Sequence, residues 1–317
     1  MGESASIVVG GEALIDLVRD AASGGLNAHE GGGPYNTART LARLGCVTHF
    51  LGVLSNDGFG SGLAAQLASD GVLVDQSLAT DLPSTLAVAE LDAEGTASYR
   101  FYTEGTSAPG LDAAAALAAL PADVAMLHVG TLGLVLEPLA SALRAVVDHV
   151  AGTVLVMVDL NCRPAAIADR AAYRSSLAFT LGRTDVVKAS VEDLAWLYPR
   201  QAPLDAARDL LEHGPGVVLV TDAAHGATAL LDGRELRVPA PQVSVADTIG
   251  AGDAFGGGLL AWWSRRGLTR ADLADPAAIE EAVRFACLVA ARTCERPGAF
   301  PPTLAELGPG GFGRPPR

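Results

Sequence analysis

The sequence predicts an α/β protein, in which one mostly parallel β-sheet is covered by helices and carries a small β excursion. Three observations carry this reading. Short apolar, β-branched runs recur along the chain and alternate with longer stretches of helical periodicity. The runs are apolar throughout, as strands buried on both faces are. Two segments, 11–31 and 84–103, break the alternation with strand-like patterns of their own.

Taken in chain order, Ile7–Val9 is the first strand, and residues 11–31, weakly apolar and glycine-containing, are also strand-like. Three glycines then lead into a helix over 34–45, with Ala38, Leu41, Ala42 and Gly45 on one face and Gly45 suited to its C-terminus. Thr85–Leu91 and Thr96–Tyr102 flank Asp92-Ala93-Glu94-Gly95, a hairpin signal with glycine at the turn. Val124–Val129, Val154–Val158, Val186–Val187 and Val217–Val220 are further buried strands, and Pro138–Val150 and Asp169–Leu181 are helices between them. A helix over the apolar run Leu259–Trp263 follows a glycine-rich segment. Residues 308–317 are too rich in Gly and Pro for regular structure. These boundaries predict one domain over 1–307, with a lid drawn from about 11–31 and 84–103, and a tail over 308–317.

Composition narrows the function. A chain of 317 residues buries roughly three quarters of its unfolded surface and needs no staples. With 22 basic and 36 acidic residues, a net of −14, it lacks the basic footprint of a nucleic-acid or anionic-membrane binder. No apolar run reaches the ~18 residues of a membrane span. The start has no basic region before an apolar stretch, so no signal peptide is expected. Cys46, Cys162, Cys287 and Cys294 lie far apart without a Cys-x-x-Cys, which predicts reduced core thiols, no zinc site and a cytoplasmic location. Lys188 is the only lysine.

Two segments carry chemistry. In Asp247-Thr248-Ile249-Gly250-Ala251-Gly252-Asp253-Ala254-Phe255-Gly256-Gly257-Gly258, glycines bring main-chain N–H groups close to a ligand at the start of a helix, which is an anion site. Asp253 beside such a site can accept a proton from a nucleophile attacking a bound phosphate. Equally, it can be an acid favoured in a first helical turn. In Gly31-Gly32-Gly33-Pro34-Tyr35-Asn36, exposed main chain and a side-chain amide suit a polyhydroxy ligand, and a plain helix cap is the competing reading of Asn36.

These two segments, in this order, resemble the two signatures of the PfkB, or ribokinase-like, carbohydrate kinase family, and the resemblance runs over roughly residues 6–307. It implies a three-layer sandwich around a mostly parallel central sheet, with a small β-sheet lid that forms a dimer contact. It implies an ATP-dependent sugar kinase. Asp253 would be the base, and the amides of Gly250, Ala251 and Gly252 the anion hole. Asp16, Gly32, Gly33 and Asn36 would bind sugar hydroxyls, and in Asp159-Leu160-Asn161-Cys162-Arg163 the side chains of Asn161 and Arg163 would face phosphate and sugar. Asn161, Lys188, Thr221 and Gly226 would contact ATP. Asp193, in Ser190-Val191-Glu192-Asp193, takes the place of the family's acid tied to Mg²⁺, and Asp247, Ile249 and Gly298 would line a site for a monovalent cation such as K⁺.

The chain also departs from the family pattern. Ser190 replaces an asparagine, and Ala223 replaces a glycine in Thr221-Asp222-Ala223-Ala224-His225-Gly226, where a positive φ would strain alanine. The sugar-side residues supply no cation for a phosphorylated acceptor, so the expected substrate is a free sugar. Gly11-Glu12-Ala13-Leu14-Ile15-Asp16, Ser98–Tyr102 and Cys294–Ala299 resemble the fructokinase-type members, which points to fructose and its 6-hydroxyl. Arg100, if turned inward, would clamp a carboxylate and point to 2-keto-3-deoxygluconate instead. A ribokinase activity, or a non-catalytic sugar- or nucleotide-binding role on the same fold, also fits these motifs. A Rossmann oxidoreductase lacks its Gly-x-Gly-x-x-Gly turn, and a P-loop kinase lacks its Gly-Lys-Ser/Thr. The expected partners are therefore a sugar, ATP and a second copy of the chain.

Overall fold

The computed structural model describes residues 6–19, 25–91 and 97–308. Its main sheet has eight strands: β1 (Ser6–Gly10), β4 (Thr48–Leu51), β9 (Val124–Gly130), β10 (Leu155–Asp159), β11 (Val186–Ser190), β12 (Val217–Thr221), β13 (Ala227–Leu231) and β14 (Arg234–Val238). In space they run β14-β13-β12-β11-β10-β9-β1-β4. All are parallel except β13 and β14, which turn back as an antiparallel edge. The expected runs at β1, β9, β11 and β12 are here, extended by one to three residues, the run at 154–158 is shifted by one residue to Leu155–Asp159, and β4, β13 and β14 are additions to the expected set.

Alternation along the strands divides the core. On β1, Ile7 and Val9 join one cluster and Val8 the other, and Met157 and Val158 split the same way on β10. The first cluster takes α1 (Gly33–Arg43), α2 (Gly58–Ser69), α8 (Ala251–Arg265) and α9 (Pro276–Cys294). The second takes α3 (Ala113–Ala118), α4 (Leu139–Val150), α5 (Arg170–Leu181), α6 (Val191–Leu197) and α7 (Pro203–Leu211). The result is the expected three layers.

Two helices differ from a simple amphipathic pattern. α1 is buried all round from Gly33 to Leu41, with Leu44 buried and Gly45 exposed, because sheet and helices enclose it. Gly45, at φ 83°, terminates the helix rather than joining its apolar face. α8 carries Gly256-Gly257-Gly258 in its interior, a costly choice for a helix at about 1 kcal/mol each. A Cβ at Gly257 would sit 2.7 Å from Thr40 of α1, and one at Gly258 3.1 Å from Val289 of α9. The glycines let α8 approach both neighbours closely.

The two β excursions meet. β2 (Leu14–Arg19), β3 (Leu26–Gly31), β7 (Leu86–Leu91) and β8 (Ala97–Tyr102) form a separate sheet in the order β3-β2-β7-β8, and β5 (Val53–Ser55) pairs with β6 (Leu78–Thr80) beside it. The hairpin turn expected at 92–95 and the tail beyond Gly308 lie outside the described residues. Cys46, Cys162 and Cys287 are buried free thiols, and Cys294 is half-buried. Among the described residues no helix is long and apolar enough to cross a membrane.

Candidate active site

The parallel strands β1, β9 and β10 end together, and the four-stranded sheet stands over their C-terminal ends. Between them lies a cavity of about 410 Å³ lined by Asp16, Asn36, Asn161, Arg163 and Asp253 among others. Crevices beyond strand C-termini are where open α/β sheets bind ligands. A depression of similar volume between α4 and α5 is a surface groove around Arg144 and Phe179, remote from these strand ends.

Asp253 sits in the first turn of α8, 7% exposed. Its Oδ2 accepts a hydrogen bond from Asn36 Nδ2 at 2.9 Å, and Asn161 Nδ2 lies 3.5 Å from its Oδ1. Burial pushes its carboxyl above the usual range, against the pull of the Asn36 bond, Lys188 and Arg163. It is thus a buried carboxylate made more basic yet held in one orientation.

Gly250 caps α8 in the left-handed region, at φ 75°. A Cβ there would lie 2.6 Å from the Ala299 methyl, so both conformation and space require glycine. The three amides expected as an anion hole are not equivalent. Ala251 N–H donates to the Thr248 carbonyl at 3.2 Å and is spent on the turn. Among the described residues the amides of Gly250 and Gly252 have no protein acceptor. The free donors at this turn are therefore two, not the three that the sequence suggests.

The opposite wall of the cavity is equally tight. A Cβ on Gly33 would meet Thr131 Oγ1 at 2.3 Å and Asp253 Oδ1 at 3.3 Å. Asp16, on β2, faces the same space; burial lifts its carboxyl to about 6, opposed by Arg163, reinforced by Asp253 and opposed again by His29. Among the described residues Arg163 makes no ion pair. Its Nη1 donates to Asn161 Oδ1 at 2.7 Å and to the Asn161 and Cys162 carbonyls at 3.2 Å.

A family model described as "pfkB family carbohydrate kinase" matches residues 4–305. The chain belongs to that family. A fructokinase of Rhizobium leguminosarum bv. trifolii is 37% identical over 255 residues, 79% of this chain and 77% of the relative. The structure of an ATP-bound fructokinase from Xylella fastidiosa superposes with a TM-score of 0.88 at 30% identity, covering 96% of this chain and 97% of that one. A Vibrio cholerae O395 fructokinase holding fructose, ADP and calcium gives a TM-score of 0.82 at 26% identity, covering 93% and 94%.

In this pfkB-family kinase the structure rearranges several expected roles. Arg100 does not line the cavity. Its strand neighbours Tyr99 and Phe101 do, with their rings stacked 6.2 Å apart, so the period of two turns Arg100 to the opposite face. The carboxylate clamp is thereby removed. Asn161, expected to contact ATP, lines the cavity beside Asp253, together with Gly250 and Gly252. Lys188 lies behind Gly252, where a Cβ would meet its Nζ at 3.0 Å, and does not line the cavity. It is 3% exposed, and its Nζ donates to both oxygens of Asp159 at 2.8 and 3.0 Å. Burial pulls its ammonium down, and Asp159 more than restores it, so the charge stays.

Asp193 does not fit as a direct magnesium ligand. Its Oδ1 accepts from Cys162 N–H at 2.6 Å and its Oδ2 from Ser190 N–H at 2.8 Å, while Ser190 Oγ accepts from Asp193 N–H. Ser190 and Asp193 form a capping box at the start of α6. Ser190 thus serves as the N-cap of this helix, and Glu192 is exposed. Among the described residues no cluster of His, Cys, Asp or Glu is arranged to hold a metal ion.

Thr221 and Gly226 lie further along the sheet, at the end of β12 and the start of β13. Between them Ala223 adopts φ 40°, the left-handed conformation in which alanine is strained. Asp247, Ile249 and Gly298 are brought together: Asp247 Oδ1 accepts from Ile249 N–H at 3.0 Å and Oδ2 from Gly298 N–H at 2.8 Å.

Four residues at the site escape the sequence reading. Glu12 is fully buried and accepts from Gly33 N–H at 3.2 Å and Gly133 N–H at 3.0 Å, bridging two walls of the cavity. Burial lifts its carboxyl to about 8, against these backbone bonds and Arg163. Thr131, at φ 54°, accepts from Asn161 Nδ2 at 3.2 Å. Tyr99 and Phe101 carry a signal in the strand alternation, but that signal has no phase. Glu12 and Thr131 follow strand ends, where an acid or a hydroxyl has no distinctive pattern.

Proposed function

We propose that this kinase transfers the γ-phosphoryl group of ATP to the 6-hydroxyl of fructose, giving fructose 6-phosphate and ADP. The observation that carries the proposal is the pairing of an oriented, basic Asp253 with the uncommitted amides of Gly250 and Gly252. The sugar hydroxyl attacks phosphorus and gives its proton to Asp253. The new O–P bond replaces the bond to the ADP oxygen. In a loose transition state the proton leaves late, so a carboxylate suffices as base. Charge on the transferring oxygens is met by the Gly250 and Gly252 amides, with Lys188 behind them.

The cavity favours a neutral acceptor. Among the described residues Arg163 is the single basic residue lining it, and one arm of its fork is engaged by its own loop. Asp16 and Asn36 supply acceptors and donors for hydroxyls, and Tyr99 and Phe101 an apolar wall. Homology supports fructose specifically, since the sequence relative and both solved structures described above are fructokinases. Mg²⁺ would accompany ATP, and Asp193, both of whose oxygens accept backbone N–H bonds, is not assigned as its direct ligand. The metal's contribution is to neutralise phosphate charge. Asp247, Ile249 and Gly298 are the proposed surroundings of a K⁺ ion. The chain is proposed to act in the cytoplasm, as a homodimer joined through the lid sheet, whose outer face exposes Leu26 at 59% and Tyr102 at 51%.

The test is ATP consumption by the purified chain with Mg²⁺ and a panel of acceptors: fructose, 2-keto-3-deoxygluconate, ribose, adenosine, fructose 6-phosphate and none. Turnover with fructose that disappears in Asp253→Asn supports the proposal. Preference for another acceptor reassigns the substrate, and no turnover with any would favour a binding protein.

A further inference from the structure

Arg39 is a buried charge in the middle of α1 that sugar phosphorylation does not account for. It is 5% exposed, and its Nε donates to Asp70 Oδ2 at 2.6 Å. Arg43, one turn later, donates from Nη1 to Asp70 Oδ1 at 2.7 Å. Burial pushes the Asp70 carboxyl up, and the bonds from both arginines outweigh it. Burying such an arrangement is expensive, and apolar side chains of similar volume serve helix packing as well or better. The arginines therefore supply something an apolar residue lacks, namely donors beyond their shared carboxylate.

Those donors go to one segment. Arg39 Nη1 donates to the Ala299 carbonyl at 3.1 Å, and Arg43 Nε to the Pro301 carbonyl at 2.7 Å. Between them the Phe300 ring lies 6.0 Å from the Arg39 guanidinium and 4.4 Å from that of Arg43. Residues 298–301 have no helix or strand of their own, so their main chain is fixed from outside. On the far side Gly298 N–H is tied to Asp247, and Ala299 rests on Gly250, closely enough to exclude any Cβ there.

We infer that Arg39 is a positioning residue: from α1 it presses residues 298–301 against Gly250 and so fixes the anion hole at the distance from Asp253 that transfer requires. The same helix holds Asp253 through Asn36, one turn before Arg39. α1 is then a common ruler for both halves of the reacting geometry. Arg43 and Asp70 brace the arginine that does the holding. The inference rests on the reading of Gly250 as part of the hole.

The test uses the full chain carrying Arg39→Met, whose unbranched stem keeps the packing between Tyr35 and Phe300 but has no donor. Removing one oxyanion donor outright costs 10²–10³ in kcat, so a displaced one is expected to cost about tenfold. The KM for fructose should stay within about twofold, because the lost interaction acts only in the transition state. Titration of ADP, Mg²⁺ and aluminium fluoride, a mimic of the transferring phosphoryl group, should show about tenfold weaker binding while ADP alone binds as before. The acid limb of kcat against pH should not move, since the Asn36–Asp253 bond is untouched. A lower melting temperature with kcat and fluoride binding intact would overturn the inference, as would a raised KM at unchanged kcat. Should Arg39→Met fail to fold, Ala299→Gly decides: it keeps the clamp and removes the methyl seated on Gly250. A loss in fluoride binding then supports the inference and its absence overturns it. The fluoride titration needs no acceptor, so a wild-type chain inactive on fructose but tight for the fluoride complex would refute the substrate and leave Arg39 testable.

Discussion

Asn36 Nδ2 donates to Asp253 Oδ2 at 2.9 Å, across 217 positions of sequence. This bond joins the two glycine segments into one device. It fixes the direction of the carboxylate, and it offsets part of the burial that raises its pKa.

Replacing the proposed base and replacing its holder should have different signatures. Asp253→Asn is expected to lower kcat by about 10²–10⁴, the usual contribution of a positioned base, with little change in fructose KM. Asn36→Ala should lower kcat by about tenfold and also move its acid limb to higher pH. The sign follows from the bond: Asn36 favours the ionised form, so its loss raises the Asp253 pKa. A pH–rate series on the three proteins distinguishes these outcomes.

Asp16 predicts a second pH effect. Its carboxyl, lifted to about 6 by burial, accepts hydroxyl hydrogens through both oxygens only when ionised. kcat/KM for fructose should therefore fall as pH drops through about 6. In Asp16→Asn the value should be lower throughout, and this limb should vanish. A limb that persists in the variant would assign it to another group.

The close approach at Gly33 can be tested by one methyl group. Gly33→Ala places a Cβ 2.3 Å from Thr131 Oγ1 and 3.3 Å from Asp253 Oδ1. A misplacement of this kind costs about 10²-fold in kcat/KM. Gly62→Ala, whose Cβ would meet nothing closer than Glu30 Oε1 at 3.5 Å, should leave kcat/KM unchanged and serves as the control.

Ala223 holds a left-handed conformation that costs a non-glycine residue roughly 1–2 kcal/mol, while glycine costs roughly 0.5–1 kcal/mol in unfolded-chain entropy. Ala223→Gly should therefore stabilise the chain by about 0.5–1 kcal/mol, read as a higher urea midpoint at constant slope. An unchanged or lower midpoint would place the strain elsewhere.

The parallel strands β1 and β9 to β12 are legible in the sequence because they are apolar on both faces, whereas β4, with Thr48 and His49, and the edge strand β14, with Arg234, Glu235 and Arg237, carry no such run; the two glycine segments are legible because main chain comes close to other groups there. The position of Arg100 is not legible, since alternation supplies a period and no phase; only the packing of β8 over the cavity chooses Tyr99 and Phe101. Asp193 departs from its expected role although its signature is present: serine followed three residues later by an acid is a capping box, and family likeness draws attention to magnesium instead. Ala251 departs for a different reason. Whether an amide is spent on the preceding turn depends on a single carbonyl, that of Thr248, whose direction no residue type specifies. Arg39 looks like one charge among many, because burial of an arginine is decided by what lies opposite it.

The separation of Asn36 from Asp253 also bears on how the protein comes into being. Closing so long a loop is entropically slow, and nothing local rewards it until α1 and α8 meet. During synthesis the glycine segment at 31–36 emerges long before Asp253, which it faces, and residues 298–301, proposed to fix the anion hole, emerge later still. A growing chain thus holds the proposed sugar loop without the proposed base, and on this reading catalysis begins only when the last helices dock. Turnover is in this sense a readout of completed topology, and its recovery during refolding should trail the return of secondary structure.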